Sequence, residues 1–232
     1  MAELRVYSSI GVRSAAEGLF RHFENKTGHR LAVTWATAPM LVKRIEAGEP
    51  AEVAILSRAG IDTLMAQGRL VAGSAFRLAS SAVAIAVKAG APMPDIASAE
   101  ALKHALLAAK AIAYTEPAAG GASGVHFAKL IAQLGLAEAL KPKTRYPPPG
   151  GFAAELLLTG EAELAVQQKP ELLHVPGVEI VGLLPAALNV VTEFAAAVTP
   201  QCRHVEPAKA LIMMLRTPEA KAAFRAKGLD RD

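Results

Sequence analysis

Three short stretches of this sequence place small or hydroxyl residues where a strand gives way to a helix: YSSIGV at 7–12, WATAPM at 35–40 and EPAAGGASG at 116–124. The chemistry they offer is anion binding. A helix start carries unpaired N–H groups and a partial positive charge. Small residues let a ligand approach the backbone, and hydroxyls add oriented donors. The candidate ligand-binding residues are therefore Ser8, Ser9 and Gly11, then Thr37 and Ala38, then Gly120, Gly121, Ser123 and Gly124. Capping alone accounts for one Ser9 or one Thr37, and a turn alone for paired glycines. The recurrence at three matching places is what points to a site. No dinucleotide fingerprint follows the first strand, and no P-loop is present.

Other residues add to this set. Gln167 and Gln168 are adjacent amides closing the otherwise apolar strand AELAVQQ. Neighbours on a strand point oppositely, so one of the pair is expected to face the ligand. Gly150 sits in the proline-rich stretch Tyr146–Gly151, expected as a lid or wall. Tyr114 and Glu116 at a strand end, and His126 one turn into the next helix, are the weak acid–base candidates, without a paired constellation. Arg13, Lys43 and Arg44 follow the first two starts and either line the cleft or form solvated helix faces. Trp35 packs on the ligand or on the core. Cys202 is the single cysteine and the six histidines are scattered, so no metal site, cofactor or disulfide is expected.

These residues need a scaffold, and the periodicity supplies one. Leu4–Tyr7, Leu31–Trp35 and Glu52–Leu56 read as strands, each followed by a helical pattern; in the first, Val12, Ala15, Ala16, Leu19, Phe20 and Phe23 form one stripe. Regular alternation predicts parallel strands with crossover helices. Later strands are expected at Ser80–Lys88, AIAYTEP, AELAVQQ, VEIVG and VVTEFAAAV. A helix capped by Ser98 is expected to reach Ala109, and another to bury Val125, Ala128, Ile131 and Leu134. KPKTRYPPPGG reads as a linker, followed by a short helix near Phe152–Leu158. Helices over Glu206–Leu215 and Pro218–Lys227 close the chain. The fold class is α/β in two lobes, residues 1–79 plus 193–232 and residues 80–192, with a hinge near 78–82 and 190–195. The 232 residues are 52% hydrophobic with a net charge of +4, and no apolar run is long enough to span a bilayer. With no Lys/Arg cluster and no aromatic platform, nucleic acid is not an expected partner.

The segment TGHRLAVTWATAPMLVKRIEAGEPAEVAIL, above all RIEAGEPAEV, and the loop AYTEPAAGGASG resemble the bacterial periplasmic solute-binding proteins related to molybdate-binding proteins. The resemblance runs from Leu4 to about Gly228. It implies a type II periplasmic-binding-protein fold, a monomer whose two lobes close over a small anion, and an ABC transporter permease as partner. Where molybdate binders carry serines, this chain has Gly11 and Ala38, and Gln168 stands in place of a hinge tyrosine. The second-lobe loop is also richer in glycine. These departures point from a tetrahedral oxyanion toward an organic di- or tricarboxylate. Resemblance to aconitate isomerase-like members of the fold gives the rival expectation, an isomerase acting on a polycarboxylate in the same cleft; a sensor domain ranks last. The location expected is periplasmic if a leader was removed and cytoplasmic if the chain is complete as written.

Overall fold

The structure, a computed structural model, describes residues 1–230. In chain order its strands are β1 (Glu3–Ser9), β2 (Arg30–Ala36), β3 (Val53–Ser57), β4 (Phe76–Lys88), β5 (Ile112–Tyr114), β6 (Thr144–Arg145), β7 (Leu164–Gln168), β8 (Val178–Leu183) and β9 (Val191–Val198). Its helices are α1 (Arg13–Thr27), α2 (Ala38–Glu46), α3 (Arg58–Ala66), α4 (Ala99–Ala108), α5 (Ala122–Gln133), α6 (Ala137–Leu140), α7 (Glu155–Leu158), α8 (Lys169–Leu172), α9 (Val205–Leu215) and α10 (Pro218–Ala226). The chain divides into two compact units, Met1–Ser80 with Thr192–Asp232, and Ser81–Val191. It passes between them inside β4 and at the start of β9.

In the first unit the strand order is β2-β1-β3-β9, with β4 beside β9. β1 runs parallel to β2 and β3, and β9 runs antiparallel to β3. Both faces of this sheet are covered, because alternate side chains point to opposite sides. Leu4, Val6, Val53, Ile55 and Phe194 pack with Phe20 and Phe23 of α1, Leu211 and Leu215 of α9 and Phe224 of α10. Tyr7, Ala54 and Leu56 pack the other way, against Leu41 and Ile45 of α2 and Ile61 and Leu64 of α3. Gly28 ends α1 at φ 72°, donating its N–H to the Glu24 carbonyl at 2.8 Å, as the NKTG signal requires.

In the second unit β7 lies between β4 and β5, β6 is the edge beside β5, and β8 pairs the free side of β4. Val83, Ile85, Ile112, Tyr114, Leu164 and Val166 face α4 and α5. The opposite face is lined by alanines, Ala84, Ala86, Ala113 and Ala165, which let Phe152, Leu157 and Leu172 of the α7–α8 region pack close. Ser98 caps α4 as its sequence predicts, accepting from the Ala101 N–H at 3.1 Å.

Three expectations need correction. The buried face of α5 is Ser123, Gly124, Phe127, Leu130 and Ile131, whereas Val125, Ala128 and Leu134 are only partly buried. The helix is turned because Gly124 lies directly against the Thr115 carbonyl. The KPKTRYPPPGG segment is not wholly linker, since Thr144–Arg145 pair with β5 as an edge strand. β4 begins at Phe76, four residues before the apolar run at Ser80. Among the described residues no helix is long and apolar enough to cross a membrane.

Candidate functional site

The first unit presents two helix starts. β1 extends through Ser8 and Ser9 before the 3-10 turn Ile10–Val12 leads into α1. Ser9 Oγ accepts from the Gly11 N–H at 3.4 Å, so this hydroxyl serves as a cap. Ser8 is fully buried, and its Oγ has no hydrogen-bond partner. Ser14 Oγ, in the first turn of α1, is likewise buried and unpartnered. An unsatisfied buried hydroxyl costs on the order of 1–3 kcal/mol. Two at one strand–helix junction form a donor set of the kind a ligand completes. Ser14 was not singled out from the sequence; a hydroxyl two residues into the helix after the SSIGV turn is the only signal it offers.

Gly11 has a specific neighbour. A Cβ built there would meet Phe194 Cζ at 2.5 Å and Cε1 at 3.0 Å. Phe194 is buried in the core of its own unit, so any side chain at position 11 competes with a packed ring. At the second start, Thr37 and Ala38 are both buried, and the Thr37 side chain does not cap α2. Two of the three nearby cations are engaged. Arg13 pairs with Glu17 at 2.7 Å and lies over the Trp35 ring, which itself stacks on Phe20. Arg44 pairs with Glu49 at 2.6 Å and lies over Tyr7, while Lys43 is exposed. Arg13 and Arg44 therefore already carry acidic partners.

In the second unit the start of α5 is built around Thr115. β5 ends at Tyr114, a 3-10 turn covers Pro117–Ala119, Gly120 takes φ 72°, and Gly121 is the N-cap of α5. No side chain caps this helix, so its first amides carry no local acceptor. Ser123 is buried beneath the first turn. A Cβ at Gly124 would stand 2.1 Å from the Thr115 carbonyl oxygen, which makes glycine obligatory there. Gln167 braces the arrangement: its Oε1 accepts from the Ala153 N–H at 2.9 Å and its Nε2 donates to Thr115 Oγ1 at 3.1 Å. Gln168 is also buried. Gly150, at φ 79°, is exposed in the turn preceding the Gly151 N–H to Pro148 carbonyl bond.

Of the acid–base candidates, the Tyr114 and Tyr146 hydroxyls lie 3.3 Å apart with rings edge to face. Burial, reinforced by Tyr146, holds the Tyr114 hydroxyl far above the ordinary tyrosine range, so it stays protonated and is not a base. His126 Nε2 is 2.8 Å from the Leu188 carbonyl, which that nitrogen satisfies as a donor. Glu116 is exposed. No hydrogen bond or ion pair joins any two of these three. Among the described residues no group of three or more His, Cys, Asp or Glu is placed to hold a metal ion. One carboxyl that the sequence reading passed over is Glu171, in α8 beside the two glutamines. It is buried, and burial pushes it up to about 8 against the opposing donors from Gln168 and Gln167.

A family model described as bacterial extracellular solute-binding protein matches residues 4–230. An aconitate isomerase from Pseudomonas sp is 32% identical over 232 residues, covering 97% of this chain and 87% of that protein. The periplasmic molybdate-binding protein of Azotobacter vinelandii is similar in structure, with a TM-score of 0.81 at 20% identity over 99% of each chain. The periplasmic binding protein AfuA of Actinobacillus pleuropneumoniae, with fructose-6-phosphate bound, has a TM-score of 0.73 at 14% identity, covering 98% of this chain and 83% of that one. The α/β architecture is thus the type II periplasmic-binding-protein fold.

Proposed function

We propose, since this chain belongs to the bacterial extracellular solute-binding protein family, that its ligand is an organic di- or tricarboxylate, taken by neutral donors at helix starts and passed to an ABC transporter permease. The observation that carries this reading is the Gly11–Phe194 contact. In the molybdate binders that the sequence resembles, a serine hydroxyl stands at this helix start. Here the Phe194 ring occupies the space a side chain needs, 2.5 Å from where its Cβ would be. One hydroxyl donor is replaced by apolar surface, and a second by the Ala38 methyl. Losing a donor to a desolvated anion costs on the order of 1.5–3 kcal/mol, whereas an apolar wall suits a ligand with a carbon skeleton. The remaining donors fit a carboxylate: the buried Ser8 and Ser14 hydroxyls and the uncapped start of α5.

The fold does not choose the ligand, because a molybdate-binding protein and a sugar-phosphate-bound protein both share it. A second reading is favoured by one observation, the 32% identity to an aconitate isomerase. In that reading the same site holds a polycarboxylate while one C–H proton is removed and a proton is returned at the other end of the allylic system. Tyr114, held protonated, is then a candidate hydrogen-bond donor to the substrate, and Glu116 and His126 are the candidates to take the C–H proton and return one. The deciding experiment is thermal denaturation against molybdate, sulfate, phosphate, succinate, citrate, and cis- and trans-aconitate. A ligand at about 100 times its Kd adds roughly 2.7 kcal/mol, a rise of roughly 5–10 °C at this size. Stabilisation by carboxylates alone supports the reading, and stabilisation by molybdate alone overturns it. Interconversion of cis- and trans-aconitate, followed by NMR, then separates isomerase from receptor.

A further inference from the structure

The second unit contains a cavity that the helix-start donors do not share. It measures about 580 Å³, within the usual span of small-molecule sites, roughly 300–1,000 Å³. Its walls include Val87 and Lys88 at the end of β4, Met93 in the loop that follows, Ala105 and Ala108 of α4, and Leu164 at the start of β7. Past Ala105 and Ala108 the depression continues to Ala101, His104 and Asp95, which gives it an elongated outline. The cavity lies at the far end of the sheet from the start of α5. β7 runs antiparallel to β4 and parallel to β5, with Leu164 beside Ile112 and Gln168 beside Val83. The four steps from Leu164 to Gln168 span about 13 Å, so a ligand here is separate from one at the α5 start.

The polar groups around this cavity differ in what they are free to do. Among the described residues Lys88 and Glu163 are its charged lining residues, and the rest are apolar or glycine. Glu163 is committed: its Oε2 accepts the Lys110 N–H at 2.9 Å, and its Oε1 pairs with Lys110 Nζ at 3.4 Å. Lys143, near the end of α4, is committed too, donating to the Leu107 and Ala109 carbonyls at 2.6 and 2.8 Å. The Lys88 ammonium has no hydrogen bond or ion pair with any described residue. An elongated apolar cavity with one uncommitted cation on its wall selects a molecule with an apolar body and one negative end. We infer that this cavity is a second binding site, and that it takes an organic monocarboxylate with its chain on Met93, Ala105 and Leu164 and its carboxylate toward Lys88. The inference is independent of the ligand proposed for the helix starts.

The test is NMR titration of the full chain at pH 7 with butyrate, hexanoate, octanoate and octylamine. Octanoate is expected to shift the backbone amides of Met93, Ala108 and Leu164 saturably. Affinity should rise along the carboxylate series, by up to about fourfold per methylene buried, and octylamine should bind more weakly than octanoate. K88E exchanges an attraction for a repulsion and should weaken octanoate by about tenfold. A108W fills the cavity from an exposed position; it should abolish the shifts while the unliganded Tm stays within about 2 °C of wild type. If A108W does not fold, K88E decides. Octanoate shifts confined to Ser123 and Gly124, or absent, overturn the inference. So does equal affinity for octanoate and octylamine, or a K88E affinity equal to wild type. Lining amides that respond to protein concentration and not to octanoate would make the cavity a contact between copies of the chain, which also overturns it.

Discussion

Replacing Gly124 with alanine puts the start of α5 under a defined strain. The new Cβ would lie 2.1 Å from the Thr115 carbonyl oxygen, 2.9 Å from its carbonyl carbon and 3.1 Å from its Cβ. Relief needs a shift of roughly 1 Å or more, because non-bonded atoms rest at about 3.5 Å. Thr115 is poorly placed to move: it follows β5, and Gln167 holds its hydroxyl. The first turn of α5 must retreat instead. Overpacking of this kind costs about 1–3 kcal/mol, a fall in Tm of roughly 2–12 °C at this chain length. The effect on binding is expected to exceed the effect on folding. Moving the uncapped amides of α5 away from a carboxylate sacrifices one or two charge-assisted hydrogen bonds, about 1.5–3 kcal/mol each, or roughly 10- to 1000-fold or more in Kd. Calorimetric titration of trans-aconitate into wild type and G124A, with unliganded melting curves, measures both. Unchanged affinity alongside a lowered Tm would refute the assignment of this helix start to the ligand.

Three further outcomes are expected. Gly121 sits at φ −64° and ψ 132°, open to any residue, so G121L should abolish carboxylate binding while the unliganded Tm moves by less than about 2 °C. G11S should destabilise the protein by about 1–3 kcal/mol through collision with Phe194, and F194A should lessen that penalty in the double variant; additive losses would show the two sites to be independent. Glu52 is buried and accepts from the Arg5 N–H at 3.0 Å, the Arg203 and His204 N–H groups at 3.2 Å each, and His204 Nδ1 at 2.7 Å. Burial raises its pKa, but these donors outweigh burial and the net shift is downward. A lowered folded pKa contributes stability that is fully present above the ordinary glutamate value and is lost as pH falls through the folded one. E52Q should therefore lower Tm at pH 7 and flatten the fall in Tm below about pH 4.5, and an unchanged acid limb in the melting curves would contradict this.

Much of the scaffold was legible because its signals are local. Gly28 and Ser98 announce helix ends through backbone conformation and a single hydrogen bond, and alternating apolar residues mark the strands. What escaped the sequence depends on contacts made far along the chain. The rotation of α5 follows from Gly124 meeting Thr115, a steric fact invisible to periodicity. Thr144 and Arg145 are too few to read as a strand and become one only because β5 offers an edge. Gly11 stood out as a small residue at a helix start, but the reason for its size is Phe194, at the far end of the sequence. Glu171 carries no local signal of burial; its burial comes from the apolar cluster around Phe152 and Leu172.

The central claim is that this site takes an organic polycarboxylate through neutral donors and not a tetrahedral oxyanion. The most direct test is calorimetric titration of the full chain with trans-aconitate, citrate and molybdate under identical buffer at pH 7. Saturable binding of a carboxylate with molybdate at least about 100-fold weaker, a difference of roughly 2.7 kcal/mol, is the predicted result. Tight molybdate binding with no heat from either carboxylate would contradict it.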